Sequence, residues 1–404
     1  MENLQNKQPI LTLNDLYASN VIYTSRPSYG SNPWLELEEH QCNFSTGREL
    51  IISGQTPILV HAACVTNKLS LLFKTVGIKI PSNIWKFENQ TTYEKLIKKL
   101  AHEYGKKFHF QYAHEPEVLK NKHYALDKET LIALNNKSRL AEWTGYKYLP
   151  KREVVTVAEF ENSVSNWSFP FVIKPAGDLP TAGGYGVMIC YNNEDLKNAK
   201  QKISKASHMT NSLIIEQKIE AVNNYSVQYV YSEKEGIRYL GATEQLTDQY
   251  GHYKGNHNVQ KVPLSVIQAG KEIMEIGVKN GYFGIAGFDL LVDKKNNIFA
   301  IDLNFRQNGS TSMLLLDPFL HDGYHKFYNY ISPCDNEKFF NIILKYVQKG
   351  LLFPIAYYDG NWFNNESVKS RFCGVWHGSN KDYIERIEEE FSKEIYDNKS
   401  KPPV

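Results

Sequence analysis

The sequence predicts a mixed α/β protein of several domains, and three features carry that expectation. Its 404 residues are 42% hydrophobic and 22% charged, the profile of a folded chain well above the size of one ordinary domain. Short apolar runs rich in β-branched and aromatic residues alternate with segments of helical period. Near residue 300 two apolar stretches flank a Lys-Asn turn and end in acidic and amide side chains, as a hairpin does.

Taken in order, residues 1–125 read as a small α/β domain, with a strand at Pro57-Ile58-Leu59-Val60 and a helix over 67–76 closed by Gly77. Residues 127–146 carry Leu131, Leu134 and Leu140 at helical spacing, with a break expected at Asn135-Asn136 and an end at Gly145 before Pro150. From Pro170 the pattern turns to β, with runs at 171–173, 186–190, 213–215, 225–230 and 237–243, and helices are expected at 193–206 and 264–281. Residues 283–309 read as strand, turn, strand. After Ile331 come an aromatic stretch at 351–378 and a charged amphipathic helix at 381–395, and Lys-Pro-Pro at 401–403 reads as a terminus.

Lys plus Arg number 46 and Asp plus Glu 44, a net charge of +2, so neither a nucleic-acid nor a membrane partner is expected. The start lacks a basic segment followed by an apolar stretch, and nowhere do eighteen apolar residues run together, which points to the cytoplasm. Five cysteines, far apart and without C-x-x-C, signal neither a disulfide framework nor a zinc site; Cys373 with His377 comes nearest to a metal spacing but lacks further ligands.

Four constellations bear chemistry. Lys174 stands at the end of the strand run 171–173, followed by a loop holding Gly177, Gly183, Gly184 and Gly186, whose backbone amides can approach an anion closely. Side chains alternate along a strand, so Asp302 and Asn304 share a face, and the hairpin returns Asp289 opposite them. Three oxygen donors of that kind suit Mg²⁺. The apolar strand 213–215 emerges into Glu216-Gln217, where exposed backbone can read an adenine edge, with Asn223 and Asn224 close behind. Lys137 follows the Asn135-Asn136 pair at a new helical start, where a bound anion would give a cation its reason. Read singly, each has a plain alternative: an ordinary loop, a polar sheet edge, a strand end and a solvated lysine.

In this order the pieces resemble the ATP-grasp superfamily, ligases that join a carboxylate to an amine or a thiol. The resemblance covers roughly residues 130–315, and the D-x(12)-D-x-N spacing of Asp289, Asp302 and Asn304 is its most specific part. It implies an α/β (α+β) ATP-grasp fold in which two α+β subdomains sandwich ATP. Residues 126–210 would carry the phosphate loop and 211–330 the metal site, behind a pre-ATP-grasp domain at 1–125 and ahead of an extension at 331–404 packed on the body. On this likeness Lys137 and Lys174 are the nucleotide lysines, Gly183, Gly184 and Gly186 the phosphate loop, and Glu216, Gln217, Lys218 and Ile219 the adenine hinge. Asn224, or its neighbour Asn223, replaces the usual ribose-binding acid. Asp289, Asp302 and Asn304 would hold two Mg²⁺ ions, for which Mn²⁺ can substitute, although the family commonly has Glu where Asp302 stands. Arg306 and Lys174 take the catalytic roles, and Gln245, Arg306, Asn308, Gly309 and Ser310 lie on the substrate side. Triphosphate, two carboxylates, two metal ions and the three cations together leave a net charge of about +1, near neutral for a poorly solvated site.

The implied reaction activates a carboxylate, of an amino acid or small peptide, as an acyl phosphate that an amine or thiol then displaces. A carrier-protein thiol and a homodimer are further partners the likeness leaves open. A small-molecule kinase and a nucleotide-binding module without turnover are the alternatives. The end of the run 237–243 and the loop at 250–256 resemble acceptor-side regions of peptide-forming ligases. Tyr357, Tyr358, Trp362 and Trp376 line a substrate pocket or fill a core, and Arg371 or Arg306 pairs with an α-carboxylate. Lys174→Ala or Asp302→Ala is expected to remove acyl-phosphate formation and leave the fold intact.

Overall fold

The computed structural model describes residues 7–30, 32–34, 38–181, 183–365 and 367–396; the Lys-Pro-Pro at 401–403 lies outside them. Three sheets organise these residues. The first is parallel, with β1 (Val21–Thr24), β2 (Ile58–His61), β3 (Ile84–Phe87) and β4 (Lys107–Phe110) in the order β3-β2-β1-β4. Parallel pairing needs crossovers, and the helices Asn67–Thr75 and Gln90–His102 supply two of them. The second sheet is antiparallel, with β5 (Arg152–Thr156), β6 (Phe171–Ala176), β7 (Met188–Cys190) and β8 (Ser212–Gln217) in the order β5-β8-β6-β7. The helix Asn193–Ala206 buries Ala199, Ile203 and Ala206 in its core. Trp34 joins that core from the other end of the chain, its Nε1 donating to Thr210 Oγ1 at 2.7 Å.

The third sheet has eight strands: β9 (Ala221–Ser232), β10 (Gly236–Thr247), β11 (Tyr253–Asn258), β12 (Gly284–Asp293), β13 (Ile298–Asn304), β14 (Tyr324–Ile331), β15 (Leu352–Tyr358) and β16 (Arg371–Gly378). They run antiparallel in the order β13-β12-β9-β10-β11-β14-β16-β15. The helix Leu264–Lys279 lies on β9 and β12, and it comes close because two of its positions are glycine: a Cβ on Gly270 would meet the Tyr229 ring at 2.8 Å and one on Gly277 the Phe305 ring at 2.1 Å. Phe288, Leu290, Leu303 and Phe305 join the hydrophobic cluster beneath this helix. The alternate residues of β12 and β13 therefore face the other way, and that face is the polar one. A separate cluster joins Leu69 and Phe73 to Phe339, Ile343, Tyr357 and Trp376, so the N-terminal sheet and the C-terminal strands share one core.

The helix expected over 127–146 is broken at the Asn pair: it runs Lys128–Asn135, resumes as a 3₁₀ turn at Lys137–Arg139, and continues as Leu140–Trp143. Asn136 Oδ1 accepts the Ser138 N–H at 2.9 Å, the cap that restarts it. Tyr357, Tyr358 and Trp376 are fully buried and Trp362 packs against the same cluster, so these tail aromatics belong to the core. Cys373 belongs to that core as well, and His377 Nδ1 accepts the His321 N–H at 3.1 Å.

His109, on β4, is buried with its ring 4.4 Å from Tyr17 and 5.8 Å from Tyr23. Burial pushes its pKa down to about 3 and that of His114 to about 4. A pKa lowered in the folded state means that the unfolded chain binds the proton first, so the stability these rings contribute is complete above about pH 6.5. It is lost as pH falls toward 4, at about 1.4 kcal/mol per pH unit for each ring. Urea midpoints at pH 7 and pH 5 should show His109→Phe losing less stability than the wild type on acidification, by about 1 to 2 kcal/mol; equal losses would contradict a neutral buried His109.

Candidate active site

The β12–β13 hairpin builds the floor of the site. Asp289 lies directly opposite Asp302 in the register, and Gly287 opposite Asn304, so the three oxygen-bearing side chains meet on the polar face. A bulge follows at once, between Asp289 and Leu290, and bulges of this kind re-aim side chains beside active sites. Asp289 is buried and its Oδ1 has no hydrogen-bond partner among the described residues. Burial first, and then the neighbouring Asp302, push its carboxyl up to about 7. Burial acts on Asp302 too, but Lys137, Arg306 and Lys174 outweigh it and hold its carboxyl below the usual range.

The cations arrive from other segments. Lys137, placed by the 3₁₀ turn after the Asn pair, pairs with Asp302 through its Nζ, and burial lowers its own pKa despite that partner. Lys174, on β6, donates to the Ile301 carbonyl at 3.0 Å and forms an ion pair with Glu216 on the adjacent β8; both side chains are under 8% exposed. Arg306 donates to Asn135 Oδ1 at 2.7 Å and to the Thr181 carbonyl at 3.3 Å. Open space of about 410 Å³ lies over this end of the hairpin, bordered by Lys137, Asp302, Arg306, Tyr112, Asn135 and Thr181.

The glycine-rich loop rests on the turn between β10 and β11. The Tyr253 N–H donates to the Gly183 carbonyl at 3.1 Å. Gly184 has φ +78°, and a Cβ there would meet the Gly251 carbonyl oxygen at 2.4 Å, so backbone conformation and close approach both require glycine. Gly186 packs on the Pro175 ring.

Several of the expected residues have partners that the sequence did not show. Glu216 belongs to the ion pair under the loop, so only Gln217, Lys218 and Ile219 remain accessible at the strand end. Its charge offsets that of Lys174 and brings the site balance from about +1 to about zero. Asn224 Nδ2 donates to Gln245 Oε1 at 3.3 Å, and its own Oδ1 is buried without a partner among the described residues. Gln245 thus sits beside Asp289, where its hydrogen bond works against the rise of that carboxyl. Asn308 and Ser310 lie in a buried network: Gln228 Nε2 donates to Asn308 Oδ1 and Ser310 Oγ, each at 2.9 Å, and Ser310 Oγ meets Thr243 Oγ1 at 3.0 Å. Gly309 is packed under the Tyr253 hydroxyl. Arg371 is ion-paired with Glu38, which leaves Arg306 as the candidate of the two.

Residues the sequence reading passed over also border the site. Tyr112 lies just beyond the carboxyl end of β4, where open α/β sheets bind ligands, so the parallel sheet itself signals it. Its ring carries the Arg306 guanidinium at 5.1 Å. Asp178 accepts from Asn136 Nδ2 at 2.9 Å, and Arg152 donates to the Lys137 carbonyl at 2.8 Å. Both contacts are long-range, and no local pattern marks them.

Comparison with known proteins agrees with this geometry. Three models of one family match consecutive parts of the chain: the L-aspartate–L-methionine ligase N-terminal domain at 12–132, its ATP-grasp domain at 150–304 and its C-terminal domain at 318–396. An N5-carboxyaminoimidazole ribonucleotide synthetase solved with ADP superposes with TM-score 0.64 at 12% identity, over 98% of this chain and 100% of its own. The corresponding Staphylococcus aureus synthetase, also with ADP, gives 0.60 at 10% identity over 96% and 100%. An L-amino acid ligase from Bacillus licheniformis gives 0.51 at 13% over 83% and 96%. The neighbours share the fold, the three models between them span most of the chain, and the chain belongs to the L-aspartate–L-methionine ligase family of ATP-grasp enzymes, ATP-dependent ligases of amino acids that form C–N bonds.

Proposed function

We propose that this enzyme uses ATP and Mg²⁺ to activate a carboxylate of L-aspartate as an acyl phosphate and joins it to the amino group of L-methionine. The substrate pair follows the family description. The observation that carries the site assignment is the register pairing of Asp289 with Asp302 beneath a cleft bordered by Lys137 and Arg306.

The buried, unpartnered Asp289 Oδ1 fits a cation, and with Asp302 and Asn304 it supplies the hard oxygen set that magnesium takes. When bound, Mg²⁺ neutralises phosphate charge and polarises the transferring group. The chain's own residues do the rest. Gln217, Lys218 and Ile219 border the adenine, Asn224 the ribose, and Lys137 and Lys174 the phosphates. A donor carboxylate oxygen attacks the γ-phosphorus as the bond to the β-phosphate oxygen breaks and ADP leaves. Arg306 holds the transferring phosphoryl group, while Gly183, Gly184 and Gly186 keep the loop close over it and exclude water. The acceptor nitrogen then bonds the acyl carbon, phosphate departs, and the amine proton passes to solvent. The family description favours an amine acceptor over a thiol. All five cysteines are free thiols, the state a reducing compartment maintains. With the need for ATP, that supports a cytoplasmic setting for the reaction.

With ATP, Mg²⁺, L-aspartate and hydroxylamine the enzyme should yield aspartyl hydroxamate, and with L-methionine a dipeptide, ADP and phosphate in equal amounts. Asp302→Asn should lower hydroxamate formation by at least about 10³-fold; near wild-type rates would rule out the hairpin as the metal site. Lys174→Met strands the Glu216 carboxylate, so it should cost about 3 kcal/mol of stability before any nucleotide is added. Adding Glu216→Gln should restore part of that loss. Denaturant titration of the two variants separates this structural effect, which the sequence reading did not expect, from the loss of activity.

A further inference from the structure

The site as described leaves Arg48 unexplained. Its side chain is 20% exposed, yet its guanidinium makes no hydrogen bond to any described residue, and its Nε is sealed from solvent without a partner. Glu49 is the nearest opposite charge, and at 3.8 Å it lies beyond hydrogen bonding. That carboxylate already accepts from Ser25 Oγ at 2.8 Å and Gln111 Nε2 at 3.2 Å. Burial works against the Arg48 charge, but Glu49, helped by Tyr112, outweighs it and raises the pKa above its usual value. The cation is thus secured while its buried Nε–H has no partner among the described residues and its terminal nitrogens bond none of them, an arrangement that a ligand would complete.

Its neighbours lead to the cleft. The Arg48 carbonyl accepts from Ser312 Oγ at 3.4 Å, which ties it to the helix Thr311–Leu315 that follows Asn308, Gly309 and Ser310. Gln111, bonded to Glu49, borders the cleft, as does Tyr112, whose ring carries Arg306. Tyr253, packed on Gly309, feels the Arg48 charge. A dipeptide ligase meets two amino acids and must activate only one carboxylate. Lys137 and Arg306 attend the phosphate end, where that carboxylate has to lie. Of the two carboxylates left free, one on L-aspartate and that of L-methionine, the acceptor's needs a cation set apart from the phosphate end.

Resting on the substrate reading above, we propose that Arg48 binds the free carboxylate of the acceptor amino acid through a forked contact and so selects an amino acid over a simple amine. Carboxylate and guanidinium match in that geometry. The decisive comparison is L-methionine against L-methionine amide as acceptor, with aspartyl hydroxamate formation reporting donor activation independently. The wild type should prefer the acid over the amide by about 100-fold in kcat/KM. Arg48→Met should bring that preference within about threefold, through the acceptor KM, and leave hydroxamate formation within about twofold. Arg48→Lys, which keeps a charge beside Glu49, should lose at least about fivefold of the preference, and it decides the matter should Arg48→Met fail to fold. An unchanged preference in the folded variants, or hydroxamate formation falling in step with the dipeptide, would overturn the role of Arg48 and leave the ligase reading standing. A wild type that makes neither hydroxamate nor dipeptide would overturn both.

Discussion

Lys137 and Asp302 are separated by 165 positions in the chain and meet in one ion pair. Much of the site is arranged around that contact. The lysine comes from a 3₁₀ turn that exists because Asn136 caps it, and the aspartate from the end of the outermost strand of the largest sheet. Neither charge is well solvated, and a buried charge without its partner costs several kcal/mol. The pairing holds the helical segment at 128–143 against the hairpin and sets one wall of the cleft. It also keeps Asp302 ionised beside an Asp289 whose carboxyl is pushed the opposite way. Two adjacent carboxylates with diverging proton affinities are the mark of a site built for charge rather than for packing.

The hairpin was legible because its signal is local. Asp289, Asp302 and Asn304 fall on one face by the two-residue period of a strand, and the apolar residues between them say which face is buried. The helix break at Asn135-Asn136 and the helix at 193–206 were likewise written in caps and periodicity. The partner of Lys174 was not. Glu216 lies on a neighbouring strand 42 positions on, and nothing in its own surroundings distinguishes a buried counter-ion from a residue at a strand end. The company of Gln245 with Asn224 and Asp289 was illegible for the same reason, since it depends on the order β12-β9-β10, which no single segment encodes. Tail aromatics read equally well as pocket or core, and only the shared cluster with the N-terminal helices decides between them.

That shared cluster also bears on how the molecule holds its shape. Strands from 221–304 and from 324–378 form one continuous sheet, and the parallel sheet packs its helix Asn67–Thr75 against the helix Asn336–Gln348. The N-terminal sheet and the C-terminal segment therefore share one core. The smaller antiparallel sheet, carrying Lys174 and the loop, has a separate core, joined by Trp34. The cations that face Asp302 thus ride on different bodies of packing, and their convergence depends on polar contacts between those bodies.

The loop over the cleft is fastened by main-chain atoms: the Tyr253 amide on the Gly183 carbonyl, and Gly184 lying flat against the Gly251 carbonyl. Backbone groups are common to every residue, so substitutions along the β10–β11 turn can retune what enters the site without unfastening its cover. The freedom ends at position 184, where any side chain would act as a wedge. Selectivity can drift around this enzyme's doorway while the door itself stays hung.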